Sequence, residues 1–125
     1  MLNTTNFTGL IQSQAETYGD KAVMSYRDYA SGVWKDVTWR QFAHTVERVS
    51  RALVAMGVKE QENIAVFSQN KPEIMTTDFG AYGVRVVSVP FYATSSEHQV
   101  KYMVQDAEIR VLFVGEQYQY DVAIK

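Results

Sequence analysis

Three runs constrain the fold of this chain more than anything else in it: NIAVF at 63–67, VVSVP at 86–90 and RVLFV at 110–114. Each is short, rich in β-branched residues and almost continuously apolar. A strand with one wetted face alternates apolar and polar residues, whereas a strand covered on both faces does not. The intervals between the runs each hold one helical segment. KPEIMTTDFGAYG carries Met75, Phe79 and Tyr82 on one side, and SSEHQVKYMVQDA carries Val100, Met103, Val104 and Ala107. Strand, helix, strand, helix, strand implies right-handed crossovers and a mainly parallel sheet. The fold class expected is α/β, with a β-hairpin and helices first and β-α-β-α-β after them.

The first half supplies that hairpin and two helices. Phe7, Leu10, Ile11, Ala15 and Tyr18 recur at helical spacing from a start near Asn6, and Gly19 closes the segment. KAVMSYRD and VWKDV flank a Ser-Gly turn and read as paired strands. Thr38 and Gln41 have capping-box spacing, in which each side chain satisfies a backbone N–H that the helix leaves unpaired. Trp39, Phe42, Val46, Val49, Leu53 and Met56 follow as a core-facing stripe, and Gly57 ends it. Ser96 and Gln99 repeat the capping-box spacing ahead of the second crossover helix. EQYQYDVAIK begins a further helical segment that ends at Lys125 without a closing signal, as expected of a piece of something longer.

Composition narrows the function classes. With 46% apolar and 13% aromatic residues, a chain of 125 residues buries a substantial core, which argues against disorder. A net charge of -2 gives no basic footprint for nucleic acid. The absence of Cys excludes disulfides, thiolate metal sites and Cys nucleophiles. No apolar run approaches the roughly 20 residues that span a bilayer, and MLNTTNFTGL does not read as a signal peptide. A soluble globular chain in the cytoplasm is the expectation.

Residues able to carry chemistry are few. Glu60 and Glu62 lie in the polar KEQEN stretch and read as a solvated loop. Asp78 and Asp106 fall within helices, away from the strand ends where ligands of open α/β sheets gather. His44 and His98 sit on helices without a Ser–Asp partnership in the sequence. FSQNKPE, Phe67 to Glu73, is the better candidate: a strand ends, a polar loop follows, and a helix begins with Lys71 nearby to attract an anion. Asn70 and Glu73 also have capping-box spacing, and Pro72 suits an early helical position, so local structure alone explains the loop. PFYATSSE, Pro90 to Glu97, is a second such junction, with Ser96 as cap and Thr94 and Ser95 uncommitted. Neither GxGxxG nor GxxxxGK[ST] occurs, and GAYG, inside a helical segment, reads as a close-packing device.

Taken in order, these segments resemble the N-terminal stretch of adenylate-forming acyl-CoA synthetases, the long-chain fatty-acid–CoA ligase branch above all. TWRQF matches the family's T-x-x-[EQ]-[FL] helix start. ALVAMGVKEQENIAVFSQNKPE matches A-L-x-x-x-G-V-x-x-x-[DE]-x-[IV]-A-[VI]-x-x-x-N-x-x-[EQ]. GVRVVSVPFYATSS matches the G-x-x-x-V-P segment with its polar loop, and YMVQDAEIRVLFVGEQ matches the helix–strand unit after it. The likeness covers about Phe7 to Asp121, and each motif is a scaffold motif.

The resemblance implies an incomplete piece of a larger adenylating domain, with residues 1–125 as one compact unit. It implies a parent enzyme that uses ATP and Mg²⁺ to turn a fatty acid into an acyl-adenylate, releasing pyrophosphate, and then passes the acyl group to CoA. The family's phosphate loop, its Tyr-x-x-Thr-Glu-type motif, its ribose-binding Asp and its catalytic Lys have no counterpart in this sequence. No catalytic, cofactor-binding or metal residue is therefore assigned, and the chain alone is expected to be inactive scaffold without a cofactor. Fatty acid, ATP and CoA are the partners implied for the parent, with peripheral membrane contact. Self-association of this piece is expected from its exposed strand edges. The alternative is a stand-alone small α/β ligand-binding or interaction module, using the junctions at Ser68–Lys71 and Thr94–Ser96.

Overall fold

The computed structural model describes residues 5–125. Helix α1 spans Phe7–Tyr18, followed by β1 Ala22–Arg27, β2 Trp34–Thr38 and α2 Trp39–Ala55. Then come β3 Asn63–Phe67, α3 Pro72–Gly83, β4 Val87–Phe91, α4 Glu97–Asp106, β5 Ile109–Val114 and α5 Gln117–Ala123. Strands β1 and β2 form an antiparallel hairpin, and β4-β3-β5 form a parallel sheet. The α/β reading, with a hairpin ahead of a parallel β-α-β-α-β unit, is borne out.

Local chemistry explains the helix ends. Asn6 caps α1 by accepting the Gly9 N–H at 2.8 Å, and Gly19 leaves the helix at φ 42°. Thr38 and Gln41 cap α2 reciprocally, as do Ser96 and Gln99 for α4. Caps of this kind contribute about 1 kcal/mol each. Helix α3 departs from expectation. Its N-cap is Lys71, without a side-chain cap, and Pro72 takes the first helical position, so Asn70 and Glu73 form no capping box.

The sheet is doubly covered because its second crossover returns to the opposite side of β3. Ile64 packs with Leu53 of α2 and Ala81 of α3, while Ala65 and Phe67 pack with Phe91 and Val100 of α4. A third cluster joins Ile11, Phe42 and Val46 beneath the hairpin residues Val23 and Val37. Burying each Leu, Ile or Phe of these clusters stabilises by roughly 1.5–3 kcal/mol.

Three expectations about burial need correction. Only β3 is buried on both faces. The outer strands keep Val87, Pro90, Arg110 and Val114 exposed, because each has one unpaired edge among the described residues. Helix α3 buries Thr76, Thr77, Gly80 and Ala81, while Met75 and Tyr82 face outward. The two threonines can be buried because their hydroxyls donate back to the Pro72 and Glu73 carbonyls. Met56 lies at the end of α2 and is exposed, since the helix stops at Ala55 and Gly57 turns the chain at φ 78°. In α1 only Ile11 is buried; Phe7 instead sits edge-on against Phe79 at 5.8 Å.

Candidate functional site

The strand order sets where a site can form. From β3 the chain crosses to β4 on one side, then returns past β3 to β5 on the other. The switch point therefore lies at the carboxyl ends of β3 and β5, where ligands of open parallel sheets bind. Ser68 to Lys71 follow β3 at this point, and Gly115 and Glu116 follow β5.

These two junctions are joined directly. The Gly115 N–H donates to the Phe67 carbonyl at 3.0 Å. Gly115 lies so close to Ser68 that a Cβ there would meet Ser68 Oγ at 2.0 Å and its Cα at 3.0 Å. Lys71 Nζ bonds the Gly115 carbonyl at 3.0 Å and pairs with Glu116 Oε1 at 2.6 Å. The cation expected to attract an anion to this loop is already neutralised by a carboxylate of its own chain.

The second junction is tied in the same way. Gln119, on α5, is fully buried, and its Nε2 donates to the Ala93 carbonyl at 3.1 Å. Its Oε1 is buried without a hydrogen-bond partner among the described residues. Ser95 is buried, its N–H donates to the Tyr92 carbonyl at 2.9 Å, and Ser96 is committed to capping α4.

The other candidates do not converge. Glu60 pairs with Arg85 and Glu62 with Arg110, both at 3.4 Å, and Glu62 also accepts the Lys59 N–H. They tie the amino end of the sheet, opposite the switch point. Asp78 accepts from Ser88 at 2.6 Å, and Asp106 accepts from Tyr102 at 3.4 Å. His44 and His98 are exposed on α2 and α4. Among the described residues no three His, Cys, Asp or Glu side chains gather as a metal site would require.

Several hollows adjoin these elements. One of about 800 Å³ separates the hairpin from the β3–α3 loop and is lined by Tyr26, Asp28, Trp34, Asn70, Lys71 and Glu116 among others. A smaller one of about 360 Å³ lies between α1, α2 and the end of α3, with an apolar floor and the Glu47–Arg51 pair on its rim. The larger matters more for binding because it opens at the strand ends. It does not fit a triphosphate as these residues stand: Lys71 is occupied, Glu73 and Glu116 set negative charge against the one further cation of the lining, Arg27, and Pro72 removes an N–H from the start of α3.

Sequence reasoning pointed to Lys71 but missed Glu116 and Gln119, which lie 45 and 26 residues from their partners. The one local signal was Gly115, a glycine directly after a strand.

Fold and strand-end geometry together define a doubly wound α/β unit whose ligand edge is tied by its own loops. The family model described as AMP-binding enzyme matches residues 11–124, and the chain belongs to that family. Long-chain-fatty-acid–CoA ligase FadD15 of Mycobacterium bovis is 35% identical over 94 residues, covering 75% of this chain and 16% of that protein. Fatty acyl-CoA synthetase A of Dictyostelium discoideum is 32% identical over 85 residues, 68% of this chain and 13% of that one. A benzoate CoA ligase from Burkholderia xenovorans LB400 shares the fold with a TM-score of 0.83 at 19% identity, over 97% of this chain and 23% of that one. The chain thus spans only a small part of the length of the relatives it matches.

Proposed function

We propose that this chain is the N-terminal part of the large domain of a long-chain fatty-acid–CoA ligase. The parent enzyme uses ATP with Mg²⁺ to convert a fatty acid to an acyl-adenylate, and CoA then displaces AMP to give the thioester. The observation that carries this reading is the family match along residues 11–124, joined to 35% identity with a protein named as a long-chain-fatty-acid–CoA ligase. Residues 1–125 serve as scaffold. They supply one doubly covered strand, its two neighbours and a tied carboxyl edge on which the remainder of the enzyme is built. No step of the reaction is assigned to a side chain of this segment.

The reading extends to a cytoplasmic protein that meets its substrate at a membrane surface, because long-chain acids partition into bilayers. No helix among the described residues is long and apolar enough to cross a membrane.

A chimera tests the proposal. This chain replaces the matching segment of FadD15, and fatty-acid-dependent exchange of pyrophosphate into ATP is measured. Retained exchange is expected. A folded, soluble chimera without exchange overturns the reading.

A further inference from the structure

The segment from Gly115 to Gln119 touches both strand-to-helix loops at the carboxyl edge. At its start, Glu116 and the Gly115 carbonyl hold Lys71 of the β3–α3 loop. Three residues on, Gln119 holds the Ala93 carbonyl of the β4–α4 loop. Within one turn the chain therefore crosses the ends of all three parallel strands, and it has a different polar grip on each side.

The Gln119 amide is an informative part of this arrangement. It is wholly buried, yet among the described residues only its N–H is used, and its Oε1 accepts no hydrogen bond. An apolar side chain of the same length would fill the space without that penalty, because an unmatched buried acceptor opposes folding. Packing alone therefore does not account for a glutamine here. Its bond to the Ala93 carbonyl of the β4–α4 loop does.

We propose that Gly115–Gln119 is a belt that couples the β3–α3 and β4–α4 loops, so that loosening either loop loosens the other. Glu116 and Gln119 are its two positioning residues. The inference does not depend on the ligase reading, because both grips lie within this chain.

Amide hydrogen exchange on the whole chain, resolved residue by residue, tests it. Two amides report, one in the first turn of α3 and one in the β4–α4 loop. The Ile74 N–H donates to the Lys71 carbonyl at 3.1 Å, and the Ser95 N–H donates to the Tyr92 carbonyl at 2.9 Å. Glu116→Gln removes the charge on the β3–α3 side, where the Glu116 side chain is 50% exposed and that of Lys71 29%. Gln119→Met removes the grip on Ala93 together with the unmatched acceptor, so the global unfolding midpoint is expected to hold or rise. In each variant both Ile74 and Ser95 are expected to exchange at least about threefold faster. In either variant, acceleration confined to the loop beside the substitution, or at neither reporter, overturns the belt. A role in packing alone would leave both reporters unmoved in Gln119→Met, since a side chain of the same length fills the space.

Discussion

Replacing Gly80 by Ala tests the contact between α2 and α3. A Cβ built on Gly80 lies 2.5 Å from Val49 Cγ1, 2.6 Å from Val49 Cβ and 3.2 Å from the Val46 carbonyl oxygen. Rotating Val49 relieves the first clash but not the second, because Cβ is fixed to the backbone. The helices must separate by about 0.8 Å merely to reach the 3.4 Å edge of ordinary contact. That movement stretches the bond from Ser50 Oγ to the Gly80 carbonyl, now 2.7 Å.

Three effects then compete. Ala is preferred to Gly inside a helix by about 1 kcal/mol. Overpacking costs about 1–3 kcal/mol, and a weakened hydrogen bond costs about 1 kcal/mol. The last two prevail, and Gly80→Ala is expected to destabilise by about 2 kcal/mol, which lowers the urea midpoint by roughly 1 M. Gly83→Ala is the control. Its Cβ meets only Ser50 Oγ closely, at 2.6 Å, with Ser50 Cβ at 3.7 Å, so in a Ser50→Ala background it should cost nothing. A Gly80→Ala protein with an unchanged or higher midpoint refutes the reasoning.

Other expectations follow from single features. Asp28 is held down from 3.8 to about 2, chiefly by its hydrogen bond from Lys35, with Ser31 and the Ala30 N–H adding to it. A folded pKa below the unfolded one gives stability that is present above about 3.8 and lost as pH falls toward about 2, so Asp28→Asn should flatten the acid limb of the stability curve; parallel limbs would contradict this. Glu108 sits at φ 48° and forms no hydrogen bond or ion pair through its side chain among the described contacts. Relief of left-handed strain, about 1–2 kcal/mol, exceeds the added chain entropy of glycine, so Glu108→Gly should raise the unfolding midpoint. Arg85, at φ 59° but paired with Glu60, should gain less from the same change. Strands β4 and β5 each keep an unpaired edge among the described residues, with Val87 and Val114 exposed. Sedimentation of the isolated chain should therefore depend on concentration, and a single monomeric species throughout the range would count against that.

What the sequence disclosed was whatever local chemistry decides. The capping boxes at Thr38 and Ser96 could be read because both partners lie three residues apart. The parallel sheet could be read because β-branched apolar runs alternate with helix-length intervals. Helix α3 was less legible, because hydrophobicity puts Met75, Phe79 and Tyr82 on one side, and Met75 and Tyr82 are exposed. Its real inner face is made of Thr76, Thr77, Gly80 and Ala81, where satisfied hydroxyls and a missing side chain let α2 approach closely. The site was legible only in part. The loop after β3 stood out with its Lys71, but its partner Glu116 is brought to it by the return of β5, a long-range event that no local pattern encodes. Gln119 was hidden for the same reason, since a polar residue within EQYQYDVAIK gives no sign that it will be wholly buried.

On the proposed function this segment is scaffold, its strand-end cation held by Glu116, rather than a nucleotide site in its own right. Calorimetric titration of ATP into the isolated chain, with and without Mg²⁺, tests that most directly. No saturable binding is predicted, and Lys71→Met should leave the titration unchanged. Saturable binding that Lys71→Met abolishes would contradict the account and bring forward a small self-sufficient binding module.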